Sequence, residues 1–127
     1  MEYKHSDITE KIIKAAMTVH NFLGNGFPEV IYQRALAAEF NILLLNFVRE
    51  MSIPVYFKEV HVGDRRVDFL VEQNICVELK ALAILESGHI AQAKNYLEAF
   101  NFEIGLLINF GGKSLEWKRI YNNKYKV

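Results

Sequence analysis

Apolar and polar positions follow helical and strand rhythms in turn along this 127-residue chain. From residue 7 to 23 the apolar positions Ile8, Ile12, Ala15, Val19 and Phe22 recur at the spacing of one helix face. Asp7 with Glu10 three residues later predicts a capping box at the start of that helix. Gly24 and Gly26 predict its end, since glycine accepts the left-handed conformation that follows a helix. Pro28 suits the first turn of a second helix, where a missing N–H costs nothing, and that helix is expected to run to about Asn46. At Ser52 the rhythm changes. SIPVYFKEV is rich in β-branched and aromatic residues and reads as a strand, HVGDR as a turn, and VDFLV and ICVELKAL as two more strands. Residues Ser87 to Phe100 return to helical spacing, with Ile90, Ala93, Leu97 and Phe100 on one side. EIGLLINF is a buried strand, Gly111-Gly112 a turn, and LEWKRIY the last strand.

The predicted order is α-α-β-β-β-α-β-β. A strand–helix–strand crossover from residue 75 to 110 should be parallel and right-handed. The expected architecture is therefore α/β, a mixed central sheet with helices on both faces. About half the residues are apolar, enough for a sizeable core, and the length suits a single domain, 1–127. Fifteen basic and fifteen acidic residues give zero formal charge. That argues against a broad basic coat for nucleic acid and leaves room for a local basic groove. One cysteine, Cys76, allows no internal disulfide, so a reducing cytoplasm is the expected location. MEYKHSDITE has no apolar core, so no signal peptide is expected. Apolar runs such as ILLL at 42–45 are too short to span a bilayer.

The candidate chemistry lies in RVDFLVEQNICVELK, residues 66–80. It reads as a hairpin of apolar strands that nonetheless carries Asp68, Glu78 and Lys80, and buried charges are normally paired or in use. A two-residue loop at Gln73-Asn74 would put Asp68 and Glu78 on opposite faces. A three-residue loop, Glu72-Gln73-Asn74, pairs Val71 with Ile75 and sets Asp68 across from Glu78, with Asn74 expected in the left-handed position. The side chains favour the longer loop. Val67, Phe69, Val71, Ile75, Val77 and Leu79 then share an apolar face, and Asp68, Leu70, Cys76, Glu78 and Lys80 share the other. Facing carboxylates repel. A divalent cation would relieve this, and oxygen ligands suit Mg²⁺ or Mn²⁺. The plainer reading is a structural ion-pair cluster in which Lys80 neutralises one carboxylate.

Asp68, nine residues, then Glu78-Leu79-Lys80 resembles the D…ExK signature of the PD-(D/E)xK nuclease superfamily. Gly26-Phe27-Pro28-Glu29-Val30-Ile31-Tyr32 has the form that names the GxxExxY protein family. ITEKIIKAAMTVHNFLGNGFPE, VDFLVEQNICVELKAL, QAKNYL and GLLINFG resemble that family's blocks in order, over nearly the whole chain. One mild departure is VDF, where the family more often has Asp followed by Leu. The resemblance implies a restriction-endonuclease-like core. It implies that Asp68, Glu78 and the Leu79 carbonyl hold a metal, with Glu29 as an accessory ligand. It implies that Lys80 assists an attacking water and that Gln92 and Tyr96 position a phosphate or Lys80. The implied partner is nucleic acid, DNA or RNA, and a homodimer is expected by analogy with small nucleases of this fold.

Other polar residues read as structural. His5, His20, His61 and His89 lack zinc-type spacing, and His20 is expected to be a satisfied, half-buried histidine. Lys118, Arg119, Lys124 and Lys126 make a basic C-terminus, expected to be solvated, with phosphate contact as the sharper option. Trp117 is expected in the core or an interface. The leading functional expectation is a Mg²⁺- or Mn²⁺-dependent nuclease. The alternative is a catalytically silent nuclease-like module that binds nucleic acid or protein.

Overall fold

The computed structural model describes residues 5–127. Residues 1–4, the start of the segment expected to lack a signal peptide, lie outside them. Helix α1 (Ser6–Leu23) buries Ile12, Ala15, Ala16 and Val19 as its spacing predicts. Phe22, expected on that face, is instead 88% exposed, and Leu23 packs on the core in its place. At about 100° per residue, Leu23 returns close to the direction of Ile12 and Phe22 does not. The expected capping box is also absent. His5 precedes the helix in the left-handed region (φ 57°) with no side-chain cap, and its ring meets Glu103 Oε1 at 3.0 Å.

Helix α2 (Glu29–Ile42) follows Pro28, which lies just outside the first turn as an extended N-cap. It stops four residues short of the expected Asn46. Leu44 takes a left-handed conformation (φ 59°), Leu45 N donates to Phe40 O at 3.0 Å, and Leu44 N donates to Asn41 O at 3.2 Å. This Schellman closure returns Leu45 to the core and leaves Leu44 exposed. Glycine is the usual residue at that position. Leu44→Gly is therefore expected to raise stability by about 0.5–1 kcal/mol, read as a higher urea midpoint.

Strand β1 (Phe47–Phe57) then begins five residues earlier than expected and pairs with β2 (Val60–Val71) in a long antiparallel hairpin. Its turn is Lys58-Glu59, both at positive φ (46° and 71°), the two-residue geometry whose twist matches the strands. HVGDR is thus strand rather than turn. Its glycine marks a bulge, because pairing shifts between Val55↔Gly63 and Tyr56↔His61, leaving Val62 as the extra residue. Strand β3 (Ile75–Lys80) pairs antiparallel with β2 and parallel with β4 (Ile104–Asn109), which it reaches through α3 (Ser87–Phe100). Strand β5 (Glu116–Tyr121) closes the sheet antiparallel to β4.

The sheet order is β1-β2-β3-β4-β5. Helices α1 and α2 cover one face, over Phe69, Val71, Ile75, Val77, Leu79 and Phe110. Helix α3 covers the other, where Ala93 and Leu97 meet Cys76, Leu107 and Ile120. With both faces covered, β4 is buried at every position. The mixed α/β sheet and the element order are those expected. One side chain is not: Val67, placed by alternation beside Phe69, packs with the α3 cluster. The β1–β2 pairing skips Glu50 and Asp68, and Glu50 is left-handed there (φ 55°). The alternation of faces breaks at that step.

Candidate functional site

The hairpin that carries the charges adopts the longer-loop register, with Val71 opposite Ile75, Leu70 opposite Cys76 and Phe69 opposite Val77. The left-handed residues of its loop are Glu72 and Gln73 (φ 51° and 62°), not Asn74. Asn74 N donates to Val71 O at 3.1 Å, which closes a tight turn within the loop. Asn46 clamps that turn from outside. Its carbonyl accepts from Glu72 N at 2.8 Å, and its own N–H donates to the Glu72 carboxylate at 3.0 Å.

The β2–β3 ladder stops at Phe69–Val77. One step further, Asp68 Oδ2 accepts from Leu79 N at 2.8 Å, so a carboxylate replaces the missing strand carbonyl. Asp68 Oδ1 accepts from Gln33 Nε2 of α2 at 2.8 Å. The splay opens space for charge. Burial pushes the Glu78 carboxyl up to about 8; Arg65 and Lys80 oppose the shift, and the nearby Asp68 adds to it by charge and by hydrogen bonding. Burial also raises Glu29, reinforced by Asp68 and opposed by Lys80 and Arg65. Gln92 and Tyr96 line a small cavity between α3 and the sheet together with Glu78 and Lys80. The side chains nominated from the sequence therefore converge on one place, and Leu79 joins them through its backbone.

Tyr32 has a structural part in this arrangement. It is fully buried and its ring stacks on Phe110 at 4.7 Å. Its hydroxyl donates to Gly24 O at 2.6 Å and accepts from Phe27 N at 3.1 Å. It thereby fastens the turn that launches Glu29. Tyr32→Phe is expected to cost about 1–2 kcal/mol, read by urea denaturation, because two bonds are lost from a buried site.

Four neighbours were not nominated from the sequence, His89 among them having been read as structural. Gln33 holds Asp68, as above. Arg65 Nη2 lies 3.2 Å from Glu78 Oε1, and its guanidinium carbon sits 4.3 Å from the Tyr96 ring centroid. Strict alternation places Arg65 on the face opposite Glu78. The break at Glu50 and Asp68 brings it round with Val67. His89 lines the cavity and completes a capping box with Glu86, whose N–H donates to His89 Nδ1 at 3.0 Å. That bond assigns the proton of the neutral ring to Nε2. Asn109, fully buried, accepts from Leu82 N (2.8 Å) and Gly111 N (3.1 Å) and donates to Leu82 O (2.9 Å), stapling the chain that leaves Lys80. A β-carbon on Gly111 would fall 2.3 Å from Leu82 O, so only glycine fits there. Of the residues read as structural, His20 is more deeply buried than expected and bonds Gly112 O at 3.0 Å. Lys124 pairs with Glu98 at 3.3 Å.

Among the described residues, no three His, Cys, Asp or Glu side chains alone form a group that could hold an ion. The donors present are nevertheless all oxygen: Asp68, Glu78 and the adjacent Glu29. Gln33 Oε1, beside Asp68, is buried without a partner among the described residues, an acceptor that a metal-bound water would satisfy. This set fits Mg²⁺ or Mn²⁺ that retains several waters better than it fits a closed all-protein cage.

A family model described as the PD-(D/E)XK nuclease superfamily matches residues 6–120. The solved crystal structure of SSO0001 superposes with a TM-score of 0.55 at 22% identity, covering 72% of this chain and 48% of that one. The present chain thus spans about half the length of that protein, and the likeness is one of fold. No curated protein matches. Among the described residues, no helix is long and apolar enough to cross a membrane.

Proposed function

The chain belongs to the PD-(D/E)XK nuclease superfamily, and from that premise we propose that it is a metal-dependent nuclease of the GxxExxY type, hydrolysing phosphodiester bonds of DNA or RNA. The observation that supports this most directly is the Glu78 carboxyl, buried beside Asp68 and costly to ionise even with Arg65 at 3.2 Å and Lys80 nearby. Stability alone gives no reason to keep such a pair. A divalent cation would make both carboxylates favourable, and when bound it would acidify water and neutralise phosphate charge.

Asp68 is presented with one oxygen fixed by Leu79 N and the other by Gln33, so its orientation is set before any ligand arrives. With Glu78 and the Leu79 carbonyl it would hold the ion, and Glu29 would anchor a coordinated water. Lys80, two residues beyond Glu78 on the same strand, would orient the attacking water and stabilise charge growing on the phosphate. Gln92 and Tyr96 would steady the phosphate or Lys80 from α3. The reaction places the water oxygen on phosphorus, breaks one P–O ester bond and delivers a proton to the departing oxygen.

The test is incubation of purified protein with end-labelled single- and double-stranded DNA and RNA in Mn²⁺, Mg²⁺ or EDTA. Cleavage in the metal-containing samples that EDTA abolishes is the expected result. Oligonucleotide or protein binding without any cleavage would instead identify a catalytically silent binding module.

A further inference from the structure

We infer that Arg65 is a substrate-phosphate ligand, held on Glu78 until a metal claims that carboxylate. The inference rests on the nuclease reading above. The guanidinium is held from three sides: Glu78 Oε1 lies at 3.2 Å, Nη1 donates to Arg66 O at 2.6 Å, and the Tyr96 ring lies 4.3 Å away. Its Nε is nevertheless buried with no hydrogen-bond partner among the described residues. An arginine kept only as a counter-ion has no need of a buried, unspent donor, and such a donor carries a cost.

The cavity it faces is lined by Arg65, Lys80, His89 and Gln92, all able to donate, and Glu78 is the one carboxylate among the described residues that line it. His89 presents its Nε2–H because its Nδ1 is committed to the helix cap. Once Glu78 coordinates an ion, its Oε1 is no longer free to accept from Arg65 Nη2. The Tyr96 ring and the Arg66 carbonyl still hold the guanidinium in place. The wall then offers positive charge and N–H donors to an incoming anion. A forked guanidinium matches a phosphate in charge and geometry, and a lysine would not replace it equally. The ligand class is a phosphodiester anion next to the metal-binding carboxylates.

The test compares wild type, Arg65→Met and Arg65→Lys. Fluorescence anisotropy gives oligonucleotide affinity in Ca²⁺ and in EDTA over a salt series, and calorimetry gives Mn²⁺ affinity. Wild type is expected to bind the oligonucleotide more tightly in Ca²⁺ than in EDTA. Arg65→Met should lose that gain, bind about tenfold more weakly in Ca²⁺, and show a salt slope shallower by about one. Its Mn²⁺ affinity should hold or tighten, since a competitor for Glu78 is gone. Arg65→Lys should recover only part of the oligonucleotide affinity. Unchanged oligonucleotide binding with weakened Mn²⁺ binding would make Arg65 a structural counter-ion and overturn the inference alone. Absence of oligonucleotide binding and cleavage by wild type would overturn the nuclease reading with it. If Arg65→Met does not fold, Arg65→Lys and Tyr96→Leu decide, and wild-type affinity in both would overturn the inference.

Discussion

Lys80→Ala and Asp68→Asn are each expected to lower metal-dependent cleavage by roughly a thousandfold or more while the protein stays folded. The two variants reach that result by different routes. Lys80 serves the fold through its backbone, whose carbonyl accepts from Phe110 N at 2.9 Å, and alanine keeps that bond. The residue is half-buried and its charge is felt by Glu29 and Glu78, so its loss removes charge where charge would develop in the reaction. Asp68→Asn tests the metal ligand with almost no change of shape. The remaining Asn oxygen accepts from Leu79 N as Asp68 Oδ2 does. The new amide would face the Gln33 amide, donor against donor. Gln33 has an escape: its Oε1 is free, so a flip of its side chain turns the conflict into a hydrogen bond. Asp68→Asn protein should therefore melt close to wild type while losing Mn²⁺ affinity and cleavage. Equal cleavage by both proteins, purified identically, would point to a contaminant or to another site.

The sequence carried the site further than it carried the elements around it, and the reason is physical. The register of the charged hairpin was legible because one slip would mix charge into the apolar face, either Asp68 beside Val77 and Leu79 or Glu78 beside Phe69, a heavy penalty that leaves one answer. The nomination of Glu29, Gln92 and Tyr96 came from the family resemblance and not from energetics, since alone they read as a first-turn carboxylate, a surface amide and a packed tyrosine. Arg65 was hidden first because HVGDR reads as a turn and second because even period-2 counting would place it on the far face; nothing in REMSIPV announces that Glu50 turns left-handed opposite Asp68. The end of α2 was missed for a similar reason. Leu43-Leu44-Leu45 continues an apolar pattern, yet Leu44 occupies a position usually given to glycine and only Leu45 is buried. Turns also formed without their usual residues, at Lys58-Glu59 and Glu72-Gln73. The long β1–β2 ladder dictates the first and the Asn46 clamp supports the second, and the local sequence does not reveal them.

In EDTA, stability should fall as pH rises from about 5 to 8, and Glu78→Gln should remove most of that slope. The sign follows from where the proton sits. The Glu78 carboxyl is pushed from its ordinary 4.5 up to about 8 by burial, with Asp68 adding to the shift against Arg65 and Lys80. Below the unfolded value both states hold the proton and Glu78 contributes no slope. Between the two values the unfolded chain releases it and the folded chain keeps it, so each step up in pH favours unfolding. At about 1.4 kcal/mol per pKa unit, softened by the Arg65 pairing and by entering water, the expected loss is roughly 2–4 kcal/mol across the window. Glu29 is raised for the same first reason, burial, and would leave a smaller residual slope of the same sign in Glu78→Gln. The buried Cys76 thiol is raised as well, which keeps it neutral throughout the range. A bound cation should reverse the trend, because it takes the place of the proton on Glu78: Mn²⁺ affinity should rise with pH up to about 8, with proton release on binding. Urea denaturation of both proteins from pH 5 to 8.5, with and without Mn²⁺, measures this. Parallel slopes for wild type and Glu78→Gln in EDTA would show that Glu78 is ionised in the folded protein, and the case for a carboxylate kept in reserve for a metal would fall with it.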